Sequence, residues 1–162
     1  MAEAPNEKIV VKVNNKDLVL DPDNMIFNEF TLSNYMDREY AWIDYYGKQL
    51  EISNKELSMA ELAYETKFNE LYISFKDEGG SDGYCKAKAQ SNSECVKLYE
   101  YTIDRKTTVG LIKSHLKAWD KNHDNAQNRG HTLRKELDKL NRLYIVKGIR
   151  IIRRNWLRLL VY

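Results

Sequence analysis

The stretch HDNAQNRGHTLRKELDKL (residues 123–140) holds two of the three histidines of the chain, one glycine and a cluster of basic residues. It is either a reactive site at Arg129-Gly130-His131 or the junction of two helices. Glycine takes the left-handed backbone of a helix C-terminus without strain, and threonine is a good N-cap. Asn128-Arg129-Gly130 is therefore expected to end a long helix, and Thr132 to cap a last one through Leu140.

Upstream of that junction, Cys95, Leu98, Thr102, Arg105, Val109, Ile112, Leu116, Trp119, His123 and Ala126 recur at steps of three and four. This spacing lines one face of a helix and predicts coiled-coil-like packing from about Tyr84 to Gln127. Thr102 and Arg105 weaken the seam, and Gly110 lowers helix propensity. Before it, DEGGSDG (residues 77–83) has three glycines and three acids and reads as a solvated turn.

Two further helices are expected ahead of that turn. Asp21-Pro22-Asp23-Asn24 resembles a helix start, because proline presets φ and the acids cap free N–H groups. A helix from about Met25 to Ile52 would carry the stripe Leu32, Tyr35, Trp42, Tyr46 and Gln49, with Glu39 as a polar break. Ser53-Asn54 would cap the second, whose stripe is Leu57, Ala60, Tyr64, Phe68, Leu71 and Phe75. The front of the chain, KIVVKVNNKDLVLDP (residues 8–22), reads as a β-hairpin turning at Asn14-Asn15.

Beyond Leu140 two conformations compete. Ile145, Ile149, Ile152, Trp156 and Leu159 form a helical stripe. The segments LYIV and IRII flanking Lys147-Gly148 also read as a second hairpin. The fold expected is mainly α: a hairpin over 1–22, long amphipathic helices with coiled-coil-like packing over 23–140, and a basic amphipathic tail over 141–162.

The chain has 162 residues, 31% of them charged and 43% hydrophobic, with only seven glycines and two prolines. Its net charge of +2 is unevenly spread. Residues 139–162 carry seven Lys/Arg and no acid, which leaves −5 for residues 1–138. A basic tail on an acidic body fits a polyanion partner or a docking segment, or else a basic surface that only balances the body's acidity. No apolar run is long enough to span a bilayer, and residues 1–20 lack the apolar core of a secretory signal. A cytoplasmic protein with reduced Cys85 and Cys95 is expected, in the host cytoplasm if a phage encodes it.

Catalytic patterns are not found. His115, His123 and His131 diverge by roughly 80° at each eight-residue step of a helix, so they do not build a metal site. His123 on the seam is read as a packed, hydrogen-bonded residue. There is no nucleophile elbow and no phosphate-binding glycine loop. Neither an enzyme nor a cofactor is expected.

Nucleic-acid binding has more support. Eleven tyrosines, three tryptophans and four phenylalanines offer stacking surfaces, and YCKAK (84–88), RGHTLRK (129–135) and the tail supply cations. The seam aromatics read as core. Arg150, Arg153, Arg154, Trp156 and Arg158 in the tail form the better candidate, although a protein or anionic-membrane contact would use the same groups.

Residues from about Met25 to Asp138 resemble the recombination mediator proteins of tailed phages, the UvsY type. The likeness lies in the order of the amphipathic helices, the loop KDEGGSDG (76–83), the segments AKAQSNSECVKLYEYT (87–102) and LIKSHLKAWDKNHDNAQNRGHTLRKEL (111–137), and above all NRGHTLRKE (128–136) following Trp119. The resemblance implies a non-enzymatic homo-oligomer that binds single-stranded DNA and helps a RecA-type recombinase displace a single-strand-binding protein. The family carries a basic patch before its acidic loop. Here NELYISFKDEGG (69–80) stands there, with only Lys67 and Lys76 nearby. The DNA contact is therefore expected at Lys86, Lys88, Arg129, Arg134 and the tail. The runner-up expectation is a helical assembly protein whose basic tail docks on other proteins.

Overall fold

A computed structural model describes residues 7–159, with side chains described for residues 7–145. Strands β1 (Ile9–Val13) and β2 (Lys16–Leu20) form an antiparallel hairpin, with Val13 opposite Lys16 and Ile9 opposite Leu20. Asn14 and Asn15 both have positive φ, 50° and 57°. These angles make the two-residue turn whose twist matches that of the strands, and asparagine tolerates them. Val11, Val13, Leu18 and Leu20 are buried on one face, as period-two alternation requires.

A 3-10 turn follows over Pro22–Met25, with the Asp21 side chain accepting a hydrogen bond from Asp23 N–H. The helix expected from Met25 does not start there. The Asn28 side chain accepts from Phe30 and Thr31 N–H, a local turn that competes with helix. Helix α1 then runs Leu32–Asp77. The expected break at Ser53-Asn54 is absent. Ser53 is buried and donates its hydroxyl to Gln49 O one turn back, so the capping side chain is absorbed within the helix.

The glycine-acid turn is tighter than its composition suggests. Gly79 N–H bonds Lys76 O, Gly80 N–H bonds Phe75 O, and Gly79 sits at φ +88°. This is the left-handed helix terminus that glycine serves. A Cβ on Gly80 would lie 2.7 Å from Cys85 Sγ and 2.9 Å from Phe75 O. Helix α2 (Asp82–Ser91) starts inside the turn, and one residue, Asn92, separates it from α3 (Ser93–Leu159). The single helix expected from Tyr84 is thus interrupted, with the Asn92 side chain capping α3 at Glu94 N–H.

Around Gly130 the structure overturns the expected turn. Helix α3 passes through Gly130 unbroken, and Thr132 donates its hydroxyl to Asn128 O instead of capping a new helix. Nothing lies within 4 Å of a Cβ built on Gly130, and its φ is not positive. The reason lies in the packing period. Trp119 and Ala126 are fully buried seven residues apart, and the next step, Leu133, packs on the same core. The tail continues as helix to Leu159, so of its two readings the backbone takes the helical one.

Helices α1 and α3 pack antiparallel as a long hairpin. On α1, Leu32, Glu39, Tyr46, Ser53 and Ala60 are buried at intervals of seven; on α3, Arg105, Ile112, Trp119 and Ala126 repeat the interval. A strict seven-residue period gives left-handed coiled-coil packing. The inner face of the β-hairpin covers the groove between the helices, completing a core with Tyr35, Tyr46, Ile112 and Trp119. Full burial of a side chain such as Ile112 contributes about 1.5–3 kcal/mol. Helix α3 is longer than its partner. Glu29, just before α1, pairs with Arg129, so about 30 residues of α3, roughly 45 Å at 1.5 Å per residue, run on past α1.

Candidate nucleic-acid interface

Polar pairs fix the register of the helical hairpin. Lys67 Nζ lies 2.8 Å from Glu94, Arg105 Nη1 lies 3.3 Å from Glu56, and His123 Nδ1 lies 2.8 Å from Glu39. The expected polar break at Glu39 is thus a buried carboxylate that also accepts the Tyr35 hydroxyl at 2.9 Å. Burial, then the carboxylate beside it, pushes the Tyr35 hydroxyl pKa upward. Arg105, the weak point of the expected seam, donates to Lys12 O of β1 at 2.8 Å. Glu56 accepts Asn14 N–H at 2.8 Å. Together these two side chains clamp the β-hairpin onto both helices.

The residues expected to contact DNA do not form one surface. Lys86 and Lys88 lie exposed on α2 at one end of the rod. Arg129 and Arg134 lie beyond the far end of the helical hairpin, about 54 Å away if measured from the start of α3 at 1.5 Å per residue. Arg129 is paired with Glu29. Lys88 lies over the Phe75 and Tyr84 rings, 4.5 and 5.3 Å from their centroids, and hydrogen bonding to Tyr84 raises its pKa. Arg134 is exposed on the part of α3 that has outrun α1. Arg150, Arg153, Arg154, Trp156 and Arg158 fall on the helical backbone, and their side chains lie outside the described residues.

Lys67 and Lys76, the two lysines near the acidic turn, are both neutralised. Lys67 pairs with Glu94, and Lys76 with Asp82, which also accepts the Tyr72 hydroxyl. Each pairing raises the lysine pKa, and Lys76 lowers that of Asp82. A different set was missed in the sequence: Lys106, Lys113, Lys117 and Lys121, all exposed on α3. None of the four makes an ion pair among the described residues. Their sequence signal is the long acid-free run Arg105–Trp119, which holds three of the four and also carries the apolar seam that obscures it.

His115 Nε2 accepts from Trp119 Nε1–H at 3.1 Å, and burial lowers its pKa. His123 Nε2 lies 2.7 Å from Gln127 Nε2. Both histidines are thus held inside the packing. No group of three or more His, Cys, Asp or Glu placed to hold a metal ion occurs among the described residues. Cys85 and Cys95 are free and buried. No helix among the described residues is long and apolar enough to cross a membrane. No family model, no curated protein and no solved structure matches the chain.

Proposed function

We propose that the chain is a homo-oligomeric single-stranded-DNA-binding mediator that helps a RecA-type recombinase displace a single-strand-binding protein. The observation that carries this reading is the length of α3 that runs past the end of α1. Past Arg129 the helix exposes Leu137, Leu140 and Leu143, at 58, 49 and 57%, beside Arg134, Lys135, Lys139 and Arg142. Apolar residues continuing a coiled-coil period call for another helix, and a symmetric oligomer of this chain supplies it. Cations flanking that seam would then be repeated around the assembly and present a concentrated field to phosphates.

The test pairs light scattering with fluorescence anisotropy on labelled single and duplex oligonucleotides over a salt series. An oligomer with a salt-sensitive preference for the single strand supports the reading. A monomer that ignores DNA sinks it. A further assay measures recombinase ATPase on strands already covered by single-strand-binding protein, where the chain is expected to restore activity.

A second reading, an assembly protein that docks on other proteins, is favoured by Phe30 and Ile26. They are 94 and 65% exposed in the loop before α1. Such a protein would stay oligomeric and leave both oligonucleotides unbound.

A further inference from the structure

Resting on that reading, we infer that the single strand runs along the solvent face of α3 built by Lys106, Lys113, Lys117 and Lys121, with Tyr99 as a stacking platform at one end.

The spacing places these groups on one line. Steps of seven, four and four residues keep the four lysines within an arc of about 80° on a helix turning 100° per residue. They span about 22 Å of axis at 1.5 Å per residue. Tyr99 falls in the same arc, two turns earlier; its ring lies against Tyr64 of α1, with centroids 5.4 Å apart, and it stays 52% exposed. The opposite side of the same turns buries Ile112 and Trp119, so the lysine row is held straight by the core beneath it.

Charge accounting separates this face from four of the other basic groups. Arg129, Lys67 and Lys76 are neutralised by carboxylates, and Lys88 is engaged by two rings. The four α3 lysines have no such partner among the described residues. Acids lie at both ends of the row: Glu61 and Glu65 share a groove with Tyr99 and Lys106, Asp120 sits beside the row between Lys117 and Lys121, and Asp124 follows Lys121 within the same arc. Between Arg105 and Trp119 the chain has no acid at all. Unpaired cations retain their full gain on releasing phosphate counterions.

A single row of cations on a rod matches one phosphate chain. An exposed ring beside it takes unpaired bases, which a duplex does not offer. The long lysine stems let each ammonium find a phosphate without base-specific contact, so binding is expected to be indifferent to sequence.

The experiment is fluorescence anisotropy of the full chain with labelled oligothymidine, from about 50 to about 200 mM salt. Lys113→Ala with Lys117→Ala is expected to weaken binding at least about tenfold at low salt and to reduce the slope of log affinity on log salt by about 1.4, at about 0.7 per phosphate contact. Tyr99→Ala is expected to weaken binding about fivefold or more with the slope unchanged. Lys86→Ala with Lys88→Ala is the matched control and is expected to change binding less than the Lys113 and Lys117 pair. All these positions are exposed, and circular dichroism is expected to report unchanged helicity. If the parent chain binds but the Lys113 and Lys117 variant keeps its affinity and slope, the face is not the track, and the mediator reading survives. If the parent chain binds no strand, both fall. Equal binding of duplex or of polyglutamate, lost in the same variant, would overturn the assignment to a single strand.

Discussion

His123 of α3 and Glu39 of α1 meet at 2.8 Å in the seam between the two long helices, where Glu39 is only 1% exposed. Replacing either partner alone strands a polar group in that seam. His123→Leu is expected to lower stability on the order of 2–3 kcal/mol in urea unfolding. Glu39→Leu combined with His123→Leu removes both groups, leaving the Tyr35 hydroxyl without its carboxylate acceptor, and is expected to recover part of the loss. A double variant no better than the single one would show that the pair does not act as a unit.

The pH dependence of stability should pass through His115. Its pKa is lowered by burial, against an opposing pull from Asp21, and Nε2 must stay unprotonated to accept from Trp119. A base with a depressed folded-state pKa contributes fully above its unfolded value, near 6.5, and loses that contribution as the pH falls through the folded value. The urea midpoint is therefore expected to drop between about pH 7.5 and about pH 5.5. His115→Gln keeps an acceptor for Trp119 without a titrating ring, and should flatten part of that drop. An identical pH profile in the variant would remove His115 from the account.

Gly130 and Gly80 should respond to alanine in opposite directions. Gly130 lies within α3 with open space around it, so Gly130→Ala is expected to stabilise the chain by about 1 kcal/mol. Gly80→Ala drives a methyl group against Cys85 Sγ and Phe75 O, at an expected cost on the order of 1–3 kcal/mol. Thermal denaturation of both variants checks this. A destabilised Gly130→Ala would mean that the helix does end there.

Glu56 and Arg105 hold the β-hairpin, with Asn14 N–H and Lys12 O as their backbone partners. Glu56→Ala leaves Asn14 N–H unpartnered and Arg105 with a diminished set of carboxylates. It is expected to speed amide exchange in residues 9–20 well before the helical hairpin opens, with a global loss of about 1–3 kcal/mol. Exchange unchanged in that segment would place the anchor in the apolar face alone.

Much of this arrangement is legible in the amino-acid sequence. Period-two alternation and the Asn14-Asn15 pair specify the β-hairpin, because a strand and its turn are decided by neighbours in the chain. The three-and-four spacing from Cys95 to Ala126 specifies which face of α3 is covered, because helical geometry alone places those residues together. The local stop signals at Ser53-Asn54 and at Gly130 mislead, and so does the start signal at Pro22. A capping side chain or a glycine offers about 1 kcal/mol, whereas a continuous apolar stripe facing a second helix gains several residues of burial. Only the partner across the seam decides which term wins.

The candidate site divides the same way. Acid-free basic stretches and abundant aromatics are matters of composition, and the linear order of residues establishes them. Which cations are already neutralised depends on the folded arrangement. Glu29, some hundred residues from Arg129, and Glu94, on the far arm from Lys67, come within reach only when the helices fold back on one another. Charge compensation acts through space, and no reading along the chain could have separated the paired lysines from the row at Lys106, Lys113, Lys117 and Lys121.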